Sequence, residues 1–597
     1  MMEPGLFYRE RVNRLTNELT RLQQKKSAFG WLRFGSIAAI VIAFYALWSL
    51  GIGYVIIVSL GLLIIFIRLL LADLKNKAAI EHTNYLIRIN NDELQFLQGN
   101  YIIFPNGIEH TPSDHLYAND LDIFGPNSIF QFVNRTSSEM GSRQLAAYLM
   151  APAAPEIISE RQTALKELTQ KTEWIQDLQA KGKKTKISFS TKDRLQNWIA
   201  EPPVFSQFKP WKWLRYLLPA IILSVVTLYI FDKISSSVFY LSLLLFAAIA
   251  YQINNYVAPI HETLSKIADE IDILSISIEH IENTSFESPL LKELQSVLFH
   301  ENKNVSQDIK RLHKLLDKLD LRYNLVLSLP LNILLLWNLQ QMLDLEKWKS
   351  EQQENIQKWF NTLGHMEALC SFGILHLNKP GWTFPGIVPE FFIIEGQEIG
   401  HPLIPEKKVV RNDIKIAGDG EIMLVTGSNM AGKSTYLRSI GVNVVLAMAG
   451  APVYADHLQL SWVQMISSMR VTDNLAESTS TFYAELKKLK TIIEKVNAGE
   501  KVFILLDEIL RGTNSLDRHT GSVALVKQLI KHHAAAIIAT HDLELAKIKD
   551  EYSENIINYH FDVQVSNDEL FFDYLLKPGV CNSLNASILM KKIGIEL

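Results

Sequence analysis

The sequence predicts a multidomain chain built from three kinds of structure: an α/β domain at the C-terminal end, a long all-α middle, and two apolar helical hairpins. Three observations carry this expectation. Strand-like apolar runs alternate with helical patterns after residue 389, residues 257–375 contain few Gly or Pro, and the stretches 34–67 and 216–253 are almost free of charge. At 597 residues, 48% apolar and 20% charged, the chain is also more hydrophobic than a purely water-soluble enzyme requires.

The α/β domain is expected over 376–597, behind a linker marked by Pro380, Gly381, Pro385, Gly386 and Pro389. Its central signal is G-S-N-M-A-G-K-S-T at 427–435, directly behind the apolar run 422–426 and ahead of a helical pattern. Glycines let backbone N–H groups curl around a phosphate, a Lys reaches the β and γ oxygens, and a hydroxyl ligates Mg²⁺. The N-terminus of the following helix faces the same phosphates. Gly427, Ser428, Asn429, Met430, Ala431, Gly432, Lys433, Ser434 and Thr435 are therefore the candidate nucleotide contacts. A second buried-strand pattern, 501–506, ends in Asp507-Glu508, which places an acid able to hold Mg²⁺ beside one able to polarise an attacking water. A third, 534–540, ends in His541, within reach of a γ-phosphate. The cofactors implied are ATP and Mg²⁺, with Ser434 and Asp507 as metal ligands and Glu508 and His541 as the catalytic pair.

Residues 34–67 hold no charged residue and break at Gly51-Ile52-Gly53, so the pattern reads as two short apolar helices and a tight turn, a hairpin over 29–74. The stretch 216–253, interrupted by Asp232-Lys233, reads as a second hairpin over 213–253. Each pass has roughly 16 to 20 apolar residues, near the lower limit for spanning about 30 Å of hydrocarbon. Lys25, Lys26, Arg33, Arg68, Lys75, Lys77, Lys209, Lys212 and Arg215 flank the hairpins, with Trp211 and Trp213 at one boundary. Basic outer flanks predict a multi-pass membrane protein with four spans whose N-terminus, core and α/β domain are cytoplasmic. The first hairpin starts too far from the N-terminus for a cleaved signal peptide.

The remaining segments are read more simply. Val12, Leu15, Leu19 and Leu22 predict an amphipathic helix over 1–28, residues 75–116 a linker, and 117–375 a helical core interrupted by the second hairpin. Residues 325–337 are apolar but short and contain Pro330, which predicts a buried helix instead of a fifth span. Cys370 and Cys581, the two cysteines of the chain, show no metal-ligand spacing and are expected to be ordinary buried thiols. A net charge of −4 gives no global basic footprint, so nucleic-acid binding would need a local patch.

The wording of the loop, T-G-S-N-M-A-G-K-S-T-Y-L-R over 426–438, closely resembles the ATPase domain of the MutS family of DNA mismatch-repair and recombination ATPases, with Ser428 where that family usually has Pro. Gly400-His401-Pro402, the segment D-N-L-A-E-S-T-S-T-F-Y-A-E at 473–485, D-E-I-L-R-G-T-N at 507–514 and A-T-H-D at 539–542 resemble further family boxes in the family's order. No Leu-Ser-Gly-Gly-Gln signature is present, which separates the chain from ABC transporters. Residues 128–143, 149–152 and Arg161-Gln162 resemble the start of the MutS core. The resemblance implies an ABC-type P-loop ATPase domain joined to an all-α core and lever domain. It further implies ATP hydrolysis coupled to DNA binding, a homodimer through the ATPase faces, and Ser480 reaching the ATP of the partner subunit.

The departures matter equally. A membrane hairpin and short linker stand where the family's mismatch-reading domain belongs, and the expected C-terminal helix-turn-helix tail is missing. The preferred expectation is a membrane-anchored MutS-type ATPase acting on mismatched, branched or junction DNA in repair or recombination. The alternative is a nucleotide-gated membrane scaffold that acts on a protein or lipid partner without DNA.

Overall fold

The computed structural model describes residues 3–300, 303–418, 420–428, 430–469, 481–566 and 569–581. Contacts divide the chain into two compact units, residues 1–103 with 172–186, and residues 104–171 with 187–597.

The first unit is made of two long helices packed on each other, Pro4–Leu47 and Ile52–Leu97, with the helix Thr172–Lys184 against the second. No proline falls between Pro4 and Pro105. The chain therefore stays helical until Gly51 turns it with a φ of 112°, a conformation that costs glycine little. This corrects the expected partition into an amphipathic helix, two short passes and a linker: each leg is one continuous helix, and the second runs to Leu97. Polar contacts fix one end. Arg11 and Arg14 both meet Glu173, His82 Nε2 lies 3.1 Å from Asp177, and the amides of Asn90 and Gln176 exchange hydrogen bonds of 3.1 and 3.0 Å. Leu15, Leu86, Ile89 and Ala180 form the core between them. Residues 172–186, expected in the helical core, belong here instead. The rest of both legs carries exposed apolar side chains from Trp31 to Leu71, with Tyr45 at 89% exposure. At 1.5 Å per residue, 31–48 and 52–71 measure about 27 and 30 Å, the thickness of a bilayer's hydrocarbon layer.

In the second unit, the helices Glu139–Met150, Pro155–Gln170 and Ile356–Asn378 pack together. Buried carboxylates serve as caps here. Glu367 accepts from the hydroxyls of Ser137 and Ser138 at 2.6 and 2.7 Å and from the Ser138 N–H at 3.0 Å, and a Cβ at Gly141 would run into it. That contact is the physical content of the S-S-E-M-G run at 137–141. Glu346 likewise accepts the N–H groups of Val204, Phe205 and Ser206 ahead of a second helical hairpin, Trp211–Ile230 and Ser236–Ser265.

Four helices among the described residues, the two legs of each hairpin, are long and apolar enough to cross a membrane by length and composition. The helix Leu325–Leu335 is not buried as expected: none of its described side chains is buried, and Val326 is 81% exposed. A 75° bend at Leu336, where φ is 47°, separates it from the helix Trp337–Gln352, and the core takes up the second helix in place of the first.

The C-terminal part holds a six-stranded sheet in the order Leu576–Pro578, Ile556–Phe561, Ile422–Thr426, Ala535–Thr540, Val502–Asp507, Gln464–Ser468, parallel except at the first edge. Its three central strands are buried at every position, which explains their unbroken apolar spelling. A four-stranded sheet draws three strands from before Ile422 and one, His457–Ser461, from between the first two strands of the larger sheet in sequence. Part of the expected linker is a strand of that sheet, Gly386–Val388, paired in parallel with His457–Ser461. Both cysteines are buried.

Candidate functional site

Parallel pairing aligns three strand ends. Thr426 is in register with Thr540, and Ala539 with Asp507, so the loop after 426, the acids at 507–508 and His541 emerge at one edge of the sheet. In open α/β sheets the carboxyl ends of the strands are where ligands bind.

The loop is shaped by its glycines. Gly427 has a φ of 151°, and a Cβ there would lie 3.0 Å from the Phe561 carbonyl; Gly432, at 107°, immediately precedes the helix Lys433–Ala449. Ala431 is buried and Ser428 half-buried, while Met430, Ser434 and Thr435 are exposed. Asn429 and Ser480, together with the rest of 470–480, lie outside the described residues.

Lys433 is buried and turned back on its own loop. Its Nζ donates to the carbonyls of Gly427 at 2.8 Å and Ser428 at 3.0 Å, and lies 3.2 Å from His541 Nε2. Burial pushes its pKa down to about 8, against the pull of Asp507 and Glu508. Ser434 Oγ donates to Asp507 Oδ2 at 2.6 Å. The two proposed metal ligands are thus already adjacent, a hydroxyl and a carboxylate of the hard-oxygen type that Mg²⁺ takes. The structure brings Lys433, Ser434, Asp507, Glu508 and His541 together.

Glu508 stands at a φ of 55°, off the end of its strand, with its N–H bonded to the Ala539 carbonyl at 2.9 Å. His541 Nε2 lies 2.5 Å from its Oε1, and Arg511 Nε 3.0 Å from its Oε2. The hydrogen bond with His541, helped by the Arg511 guanidinium, holds the Glu508 carboxyl below the usual range despite its partial burial. Glu508 and His541 open on a cleft of about 580 Å³ that also takes in Arg518, His519 and Asp542.

Several neighbours were not assigned roles from the sequence. Arg511 also donates to the Asp507 carbonyl at 2.9 Å; its position, four residues after Asp507, is the signal that could have marked it. Buried Glu485 Oε1 accepts the Leu510 N–H at 2.5 Å and so braces the turn after the acids. His401 is half-buried and pushed down to about 4 by desolvation, and its Nδ1 accepts from the Leu403 N–H at 3.3 Å. The run 120–126, read as the start of the helical core, instead contacts the sheet and the helix behind the loop. Asp120 is buried between Ser467 Oγ at 2.8 Å and Lys488 Nζ at 2.5 Å, and Asp122 pairs with Arg438 at 3.3 Å. Arg161, from the helical part, donates to the Ala449 carbonyl at the end of that same helix.

Residues 423–591 match MutS domain V. Over 223 residues, 36% of this chain, the sequence is 35% identical to the DNA mismatch repair protein MutS of Aquifex pyrophilus, covering 25% of that protein. The corresponding protein of Persephonella marina is 31% identical over 247 residues, 41% of this chain and 28% of its own length. That of Chlorobium phaeovibrioides is 32% identical over 232 residues, 37% of this chain and 26% of its own length. The matches thus span about a quarter of these curated relatives, on the part of the chain that holds the strand ends described above. Over that C-terminal part, the chain is similar to the MutS family, through its match to MutS domain V and its likeness to these mismatch repair proteins.

Proposed function

We propose that this chain is a membrane-anchored MutS-type ATPase that binds and hydrolyses ATP with Mg²⁺ and couples the cycle to binding of mismatched, branched or junction DNA in repair or recombination. The observation that carries the ATPase reading is the single sheet edge on which Ser434 Oγ meets Asp507 at 2.6 Å and His541 meets Glu508 at 2.5 Å. The loop 427–435 would hold the phosphates, and Ser434 and Asp507 the Mg²⁺, which when bound neutralises charge on the phosphoryl oxygens. Lys433 exchanges two backbone carbonyls for phosphate oxygens. Glu508, kept ionised, orients water and accepts its proton, while His541 fixes the carboxylate's direction. Ser480 completes the site from a partner subunit in a homodimer formed through the ATPase faces. Asp122 and Arg161 tie the helix after the loop to the chain before it, and Asp120 ties that same earlier segment to Lys488, which gives nucleotide state a mechanical route outward.

The DNA reading is supported by the relatives, which are DNA mismatch repair proteins. The membrane reading, four spans with the N-terminus, core and ATPase domain cytoplasmic, is supported by the two exposed apolar hairpins. Replacing Glu508→Gln should leave ATP binding intact and lower turnover by about 10²- to 10⁴-fold, the usual worth of a positioned general base. Turnover at the parental rate would overturn the assignment. Salt-dependent binding of the purified protein to junction, mismatched and homoduplex DNA tests the rest. No binding at low salt would leave the scaffold reading, which the net charge of −4 favours.

A further inference from the structure

The segment after the helical core's first long helices is chemically out of place. Between Arg322 and Asp344 the chain carries no charged residue, and it begins with the helix Leu325–Leu335. Val326, Leu327 and Leu329 are 81, 48 and 59% exposed, more than apolar side chains beside a packed core should be. This helix packs against both legs of the second hairpin, Trp211–Ile230 and Ser236–Ser265, whose own exposed residues include Leu217, Leu241, Leu244 and Leu245. The apolar surface is therefore continuous from hairpin to helix.

Its polar groups are spent internally. Asn324, Ser328 and Asn332 fall four residues apart, on one stripe of the helix. The Asn324 side chain accepts the N–H groups of Val326 and Leu327 at 3.2 and 3.3 Å, Asn332 Nδ2 donates to the Ser328 carbonyl at 2.9 Å, and Asn332 Oδ1 accepts the Asn338 N–H at 3.0 Å. In hydrocarbon, each unpaired donor is costly. Eleven residues rise about 16 Å, half the hydrocarbon thickness, and the 75° bend then returns the chain to the core at Asn338 and Leu339.

We propose that Leu325–Leu335 is a membrane-inserted half-helix that lies beside the second hairpin and enters one leaflet of the bilayer without crossing it. The occupant of its exposed face is lipid acyl chain. The proposal rests on the reading of the second hairpin as membrane-spanning, and its test separates the two.

Single cysteines are placed at Val326, Leu329, Leu244 and Ser350 in the full chain, the last being an exposed position on the helix Trp337–Gln352. They are labelled with bimane in detergent and reconstituted into vesicles of ordinary or acyl-brominated phosphatidylcholine. The unsubstituted chain measures background from the two buried cysteines. The expected result is loss of emission in brominated lipid for Val326→Cys and Leu329→Cys, comparable to that at Leu244→Cys, with Ser350→Cys unchanged. Quenching at Leu244→Cys with none at 326 and 329 overturns the half-helix and leaves the hairpin standing; this is also the outcome if a second copy or another protein covers the helix. No quenching at Leu244→Cys overturns the hairpin reading and the proposal with it.

Discussion

The strand Val502–Asp507 and the helix Ile52–Leu97 draw on the same alphabet of Val, Ile, Leu and Phe, and meet opposite fates. All six strand positions are buried, whereas only 6% of the helix's most apolar window is. Apolar composition says that a segment leaves water and does not say what replaces the water. Backbone pairing decides that. A strand must find its hydrogen bonds on neighbouring strands, so it carries its side chains into a protein core, while a helix closes its own and can face lipid. The two regions also differ in what they carry. The buried strands end in Thr426, Asp507 and Thr540, side by side at one sheet edge. The first hairpin carries only uncharged side chains over 34–67.

Truncation should separate the two regions most sharply. Leu505 is fully buried in the central sheet, and Leu505→Ala should cost about 2–5 kcal/mol, seen as a lowered unfolding midpoint of the detergent-solubilised protein. Leu244, 70% exposed in the hairpin, should lose no more than about 0.5 kcal/mol on the same change. Equal losses would mean that the hairpin is covered by protein. A charge reverses the ranking of where the damage falls. Leu244→Arg should oppose membrane integration by about 2.5–3.5 kcal/mol, lowering the carbonate-resistant fraction, and leave ATP turnover in detergent unchanged.

The same contrast explains what could be read in the sequence. The strands, loop and acids were legible because each obeys a local rule: five or six apolar residues, then the group the chemistry needs. The hairpins were legible as long uncharged runs, with turns at Gly51 and Asp232. Helix ends were not, since Gly30, Gly35, Gly53 and Gly61 lie inside the two helices while Gly51 and Gly99 sit at breaks, and nothing local tells the two kinds apart. Residues 172–186 were misassigned because the Asn90–Gln176 and Arg11–Glu173 contacts are long-range and have no periodic trace. The exposure of Leu325–Leu335 was missed for the reason given above: its spelling suits a core and a bilayer equally.

Within the buried region, Lys433 offers a finer test by pH. Burial holds its pKa near 8 without nucleotide, and phosphate oxygens would raise it in the complex. The bound state then holds more protons than the free state above pH 8, so affinity for ATP should fall as pH rises through about 8, by up to about tenfold, or 1.4 kcal/mol, per unit. Titrations of a fluorescent nucleotide between pH 7 and 9.5 would show it. A flat affinity would mean that the ammonium does not contact the phosphates. The stability contribution has its own sign: with the folded pKa lowered, the unfolded chain binds the extra proton between about 8 and the ordinary lysine value, so folding stability rises with pH there.

The smallest expected effect concerns Arg511, the residue whose role was least legible. Its guanidinium is 38% exposed, so Arg511→Ala should lower stability by less than about 1 kcal/mol, as an exposed ion pair does. Its chemical effect should be larger than its structural one. Arg511 is one of the groups holding the Glu508 carboxyl below its usual range, behind the hydrogen bond from His541. Without it the Glu508 pKa rises, and because the ionised form orients water, the acid limb of the pH–rate profile should move to higher pH while the rate on the plateau changes little. A profile that keeps its acid limb while the unfolding midpoint falls would confine Arg511 to its hydrogen bond with the Asp507 carbonyl, a brace on the strand end with no part in tuning the carboxylate.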